Sequence, residues 1–99
     1  MDLKQVIKNF LDEVFNTITQ RQESYNSPIQ NFQDIADVWT IQMRHKLKEG
    51  AKFESEDVSL MMIAIKLLRE KFAHKRDNLV DIVGYVICSV LIWASREQK

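Results

Sequence analysis

The stretch NLVDIVGYVICSVLIWA, residues 78–94, decides the fold of this 99-residue chain. Its valine, isoleucine, leucine and tryptophan side chains fall in every direction around a period of about 3.6 residues, which predicts an α-helix that is apolar nearly all the way round. Such a helix is too apolar for the surface of a monomer, so we expect it to form part of a core. In so small a protein, another copy of the chain is expected to cover its outer half, which predicts a homo-oligomer, either a dimer or a tetramer.

The composition indicates a single all-α domain over residues 1–99. Hydrophobic residues make up 45% of the chain, with only two glycines and one proline, which is typical of a compact helical protein. The 14 basic residues are balanced by 14 acidic ones, so the chain lacks the positive charge with which proteins bind duplex nucleic acid. Duplex nucleic acid is therefore not an expected partner.

The sequence also favours a cytoplasmic protein. Residues 82–94 are uncharged but fewer than the ~20 residues that span a bilayer, and residues 1–10 lack the apolar run of an export signal. The single cysteine, Cys88, lies among apolar residues and is expected to be an inert buried thiol. We therefore expect no membrane span.

Three further helices are predicted ahead of this segment. Apolar residues three and four positions apart predict helices over about residues 2–20, 29–49 and 58–70. Ser27-Pro28 predicts a turn between the first two, and Gly50 predicts the end of the second. Four helices joined by short connections predict an arrangement like a four-helix bundle.

The carboxylate of Asp81 lies inside the most apolar helix and needs a partner there. Burying an unpaired carboxylate costs several kcal/mol, so a cation, a metal ion or donated hydrogen bonds must compensate it. One interpretation is a structural ion pair with Lys66 or Arg69 on the preceding helix. The other is a polar pocket that binds a metal ion or a phosphate, to which Asp57 would be contributed from elsewhere in the assembly.

Three spaced blocks of the sequence resemble a known family. They are Arg21-x-x-x-Tyr25-x-x-Pro28-x-x-Asn31-Phe32-x-x-Ile35-Ala36-x-x-Trp39, then Glu56-Asp57-Val58-x-Leu60-Met61-Met62-x-x-x-Lys66-x-x-Arg69, then Asp77-x-x-Val80-Asp81-Ile82-x-Gly84-Tyr85. In this order, the blocks resemble an uncharacterised family of small proteins from bacteriophages and prophages. The resemblance implies a phage-derived protein, but it carries no activity.

The last block is also similar, more distantly, to the second half of the MazG-like all-α nucleotide pyrophosphohydrolases. Those enzymes hold Mg²⁺ with a Glu-x-x-Glu on one helix and a Glu-x-x-Asp on the next. Here Asn78-x-x-Asp81 retains only the aspartate, and Asp57 is followed three residues later by Leu60. The resemblance implies a MazG-like fold and a Mg²⁺ site.

Two hypotheses follow for the function. In the first, a MazG-like oligomer binds a nucleotide and cleaves a nucleoside triphosphate to the monophosphate and pyrophosphate; no catalytic residue is assigned. The metal ligands would be Asp57, Asp77 and Asp81, and the nucleotide would contact Lys66, Arg69, Asn31, Trp39 and Tyr85, with Phe32 and Tyr25 as further stacking residues. In the second, the protein is a non-catalytic phage accessory factor that binds a host protein.

Overall fold

The fold is all-helical, as the sequence predicts. A computed structural model describes residues 1–98, which form four α-helices and no strand. The helices are α1 (Leu3–Tyr25), α2 (Pro28–Gln42), α3 (Ser55–Phe72) and α4 (Arg76–Glu97), and a short 3-10 turn covers Arg44–Lys46. The predicted all-α class and the number of α-helices are confirmed for the described residues.

The first connection is shorter than predicted, because α1 continues to Tyr25 instead of ending near residue 20. The helix stops at Asn26, whose φ of 73° lies in the left-handed region. The side chain of Ser27 then accepts a hydrogen bond from the backbone N–H of Gln30, and Pro28 occupies the first position of α2. Proline suits that position, since its missing N–H would have no partner there.

The second helix ends at Gln42, well before the predicted stop at Gly50. The 3-10 turn and a loop follow. Gly50 lies in this loop with a φ of 79°, in the left-handed region that favours glycine. Thr40 explains why this loop folds back on α2, because its hydroxyl accepts the backbone N–H of Phe53 at 2.8 Å. The guanidinium of Arg44 donates to the carbonyl of Ala51 at 3.0 Å and closes the loop.

Helices α3 and α4 form an antiparallel hairpin, which is the centre of the fold. Near the start of α3, the hydroxyls of Ser59 and Ser89 are 2.6 Å apart, and Ser59 is fully buried. At one end, Arg96 forms an ion pair with Glu56, which lowers the pKa of that carboxyl. Helix α2 covers one side of the hairpin, and α1 lies along α4. The small core contains Phe32, Ala36, Val58, Cys88 and Ile92.

Helix α4 is only partly covered by the rest of the chain. It is long and apolar enough to cross a membrane by length and composition, but the core helix of a soluble protein passes the same test. Only 33% of its most apolar stretch is buried. Leu79, Val86, Val90 and Trp93 are between 39% and 61% exposed. The predicted homo-oligomer would cover this surface, and it remains a prediction.

Candidate functional site

The buried carboxylate of Asp81 is held by two cations. Its Oδ2 lies 2.9 Å from the Nζ of Lys66 on α3, and its Oδ1 lies 3.1 Å from a guanidinium nitrogen of Arg21 on α1. The side chains of Asp81 and Lys66 are 8% and 16% exposed, whereas that of Arg21 is 49% exposed. The ion cluster therefore joins three helices, and its buried member is the Lys66–Asp81 pair.

Arg21 is the member of this cluster that sequence reasoning missed. It lies 60 positions before Asp81, in a polar segment that was predicted to be a turn. Because α1 continues through that segment, Arg21 occupies the helix face that carries Val14 and Ile18 towards α4. Its place in the first family-matching block was the one signal that could have identified it.

A cavity of about 440 Å³ lies beside the ion cluster, between α1, α2 and α4. Its apolar lining includes Ile18, Ile35 and the rings of Phe32 and Tyr85, whose centroids are 6.0 Å apart. Its polar lining includes Arg21, Gln22, Asn31 and Asp81. A mostly apolar cavity of this size with a few converging polar groups is typical of a small-molecule site.

The residues predicted to contact a nucleotide are only partly brought together. Asn31 and Tyr85 line the cavity. Lys66 does not line it but forms an ion pair with Asp81, which does. Trp39 instead packs edge-on against Phe53, with ring centroids 5.9 Å apart. Arg69 lines a separate depression at the end of the α3–α4 hairpin.

Of the three carboxylates predicted to hold a metal ion, Asp57 lies apart from Asp77 and Asp81, which are one helical turn from each other on α4. Asp57 accepts the backbone N–H of Glu54 at 2.8 Å and so caps the start of α3. Asp77 is exposed in the first turn of α4, at the opposite end of the antiparallel hairpin. Within residues 1–98, no three histidine, cysteine, aspartate or glutamate side chains are grouped as they would be around a metal ion.

The ion cluster beside the cavity has an excess of positive charge, although Lys66 lies behind the cavity wall. Two cations, Lys66 and Arg21, face the single carboxylate of Asp81, so the cluster carries one net positive charge. Each oxygen of Asp81 already contacts a cation, and a metal ion there would displace one of them or lie against it. Arg21 is exposed enough to turn part of its guanidinium towards a bound anion, and arginine is well suited to carboxylates and phosphates.

Cys88 lines the same cavity as a buried free thiol. Burial raises the pKa of its thiol to about 11. We expect the folded protein to react with iodoacetamide at pH 8 roughly 100-fold more slowly than the urea-unfolded chain, since about two pKa units separate the thiol from an ordinary one. Alkylation followed by mass spectrometry checks this. Equal rates in the two states would show that the thiol is not buried as described.

Comparison with known proteins places the chain in a family. The family model of the domain of unknown function DUF6378 matches residues 9–92. The Gene 55 protein of Mycobacterium phage L5 is 35% identical over 75 residues, which cover 75% of this chain and 44% of that protein. This chain therefore spans less than half the length of that relative, and no solved structure matches it. Since the family model covers most of its length, the chain belongs to the DUF6378 family.

Proposed function

We propose that this phage-related protein binds a nucleotide in the cavity between α1, α2 and α4. The observation that carries the proposal is the combination, in one cavity of about 440 Å³, of aromatic rings with an ion cluster of net positive charge. A nucleotide has a flat base that stacks on aromatic rings and a phosphate that pairs with cations. The cavity offers both features.

Four lining residues and Lys66, which lies behind the cavity wall, have distinct parts in this proposal. The ring of Tyr85, which packs on the buried ring of Phe32, stacks against the base, and the side-chain amide of Asn31 hydrogen-bonds to its edge. Arg21 pairs with the phosphate. Lys66 keeps the carboxylate of Asp81 compensated when the guanidinium of Arg21 turns from it towards the ligand.

A MazG-like fold and Mg²⁺-dependent hydrolysis of a nucleoside triphosphate are finer proposals than binding alone. Their support is the Asn78-x-x-Asp81 motif on α4 and the presence of Asp57 on the preceding helix. In one chain, Asp57 lies about nine residues along α3 from Lys66, so roughly 13 Å separates it from Asp81 along the helix axis. A Mg²⁺ site would therefore need carboxylates from a second copy, whereas binding of the anion needs only residues within one chain.

The proposed ligand also fits the cytoplasm of the host cell, where nucleotides are found.

Isothermal titration with a panel of nucleotides, with and without Mg²⁺, tests the proposal. We expect at least one nucleotide to bind. Arg21→Gln should lower the affinity for that nucleotide about 10- to 100-fold, because a charge-assisted hydrogen bond contributes roughly 1.5–3 kcal/mol. Arg69→Gln is the matched control, since Arg69 is an exposed arginine outside the cavity.

The outcome that contradicts the proposal is equally definite. No heat with any nucleotide, from a protein whose helical content and thermal transition are normal, would exclude nucleotide binding. Equal weakening by Arg21→Gln and Arg69→Gln would instead assign the binding to surface charge and not to this cavity. A requirement for Mg²⁺ would favour the MazG-like proposal over metal-free binding.

A second candidate function is a non-catalytic accessory protein that binds a host protein. The observation that favours it is the apolar depression at the end of the α3–α4 hairpin, where Phe72 is 92% exposed and Leu68 is 70% exposed beside Arg69. Side chains so exposed contribute nothing to the folding of the chain. The two candidate functions are told apart by the variant that abolishes each. Phe72→Glu should abolish binding of a host protein, and Arg21→Gln should weaken binding of a nucleotide.

A further inference from the structure

The chain exposes much more surface than a folded monomer of its mass. Its accessible surface is 7482 Å² for 11.7 kDa. Folded monomers of this mass expose about 5,900 Å² according to the usual scaling of area with mass. The excess is therefore roughly 1,600 Å² per chain. Part of this excess lies on the exposed first half of α1, and part lies on apolar side chains of the α3–α4 hairpin.

Six exposed apolar side chains lie on one side of the α3–α4 hairpin. We call this side the outer face and define it by Leu60, Leu67, Leu79, Val86, Val90 and Trp93, all of which are at least 39% exposed. Val58 on α3 and Ile92 on α4 point the other way, into the core beneath α2. The outer face is thus the side of the hairpin opposite α2.

The spacing of these residues is that of a helix-packing seam. On α4, Leu79, Val83, Val86, Val90 and Trp93 follow one another in steps of four and three, and on α3, Leu60, Ala64 and Leu67 do the same. Steps of four and three give a repeat of about 3.5 residues, which is the pattern of helices that pack side by side in bundles. Asp81, the one charged residue of α4 between Leu79 and Trp93, points inward to Lys66.

We propose that the outer face binds the outer face of a second copy, so that two α3–α4 hairpins form a four-helix bundle across a two-fold axis. The six side chains that define the outer face are uncharged, and Arg96, which lies over the ring of Trp93, is paired with Glu56 in the same chain. Two copies can therefore pack face to face without opposing unpaired charges. The area also fits. If only half of the excess is covered, roughly 800 Å² per chain, the pair buries about 1,600 Å², which is the standard size of a stable interface.

This proposal is independent of nucleotide binding, because the cavity lies between α1, α2 and α4 and the outer face lies on the other side of the hairpin. It also differs from membrane insertion, the other environment that an apolar α4 would suit. The ion cluster at Asp81 argues against insertion, since a helix that left the hairpin would separate Asp81 from the lysine that compensates it.

The test compares Val90→Lys with Ile41→Lys by light scattering coupled to size exclusion. Both residues are exposed in the single chain, Val90 on the outer face at 61% and Ile41 on α2 at 73%. We expect the unaltered protein and Ile41→Lys to have twice the mass of one chain, and Val90→Lys to have the mass of one chain. Val90→Lys should retain its helical circular dichroism, because the lysine replaces an exposed side chain.

Several results would overturn the proposal. One is a single-chain mass for the unaltered protein over the whole accessible concentration range. Another is dissociation by both lysine variants, or by neither. A third is sedimentation of the unaltered protein with phosphatidylcholine vesicles in place of self-association, which would assign the face to a membrane.

A second measurement keeps the test decisive if Val90→Lys does not fold. Trp93 is 52% exposed in the single chain, and the other tryptophan, Trp39, can be replaced with phenylalanine. We expect iodide to quench Trp93 weakly in the concentrated protein and strongly after dilution, because dilution uncovers the outer face. Strong quenching at every concentration would show that no second copy covers Trp93.

Discussion

Replacing Asp81 with leucine should lower the free energy of unfolding by about 3–5 kcal/mol. The substitution leaves the ammonium of Lys66 buried without its partner, at a position where the side chain is 16% exposed. It also leaves Arg21 beside that ammonium with no carboxylate between them. Urea denaturation of the variant and the unaltered protein, at one protein concentration, measures the loss.

The double variant Asp81→Leu, Lys66→Met is the test of this explanation. Removing both charges should recover much of the stability, because matched apolar residues bear no desolvation cost, and Arg21 is exposed enough to remain solvated. The exposed pair Arg76–Glu13 is the matched control, and Arg76→Met should cost at most about 1 kcal/mol. If the double variant is as unstable as the single one, the loss does not come from the unpaired charge of Lys66, and this explanation is wrong.

Replacing Ile92 with alanine should have an effect of similar size, about 2–5 kcal/mol. Ile92 is 1% exposed and belongs to the core cluster under α2, so its removal leaves a cavity that the small core cannot fill. Thermal and urea unfolding at a fixed protein concentration measure the loss.

Ile41→Ala is the control for the core substitution. The same side chain is removed, but Ile41 is 73% exposed on α2, so we expect a change within about 0.5 kcal/mol. Comparable losses in the two variants would contradict the position of the core. A large loss of stability in Ile41→Ala alone would show that another molecule covers α2. The proposed dimer does not predict this, because its outer face lies on the side of the hairpin opposite α2.

Helix periodicity predicted the elements better than it predicted their ends. The spacing of apolar residues located all four helices, because that spacing follows from helical geometry within each segment. The ends depended on contacts with other parts of the chain. The early end of α2 is one example, since the hydroxyl of Thr40 binds the backbone of Phe53 and turns the loop back at a point that no local pattern marks.

The candidate site shows the same division. The apolar surroundings of Asp81 in the sequence were sufficient to predict that its carboxylate needs compensation, and Lys66 was within reach because α3 and α4 are adjacent in the chain. Arg21 was not predictable in this way, because loop lengths do not determine which face of α1 lies on α4. The sequence joined Asp57 to Asp77 and Asp81 only through another part of the assembly, and within residues 1–98 of one chain the three carboxylates do not form a group.

The sequence alone determined that this chain folds into helices, that α4 forms part of a core, and that the carboxylate of Asp81 requires a compensating partner, since these follow from periodicity and from the cost of burying a charge. Only the tertiary structure decided that two cations share that carboxylate and that a cavity opens beside them. It also decided that one side of the α3–α4 hairpin remains uncovered. The reason is that the packing of helices depends on the shape and chemistry of whole faces, and residues far apart in the chain meet there.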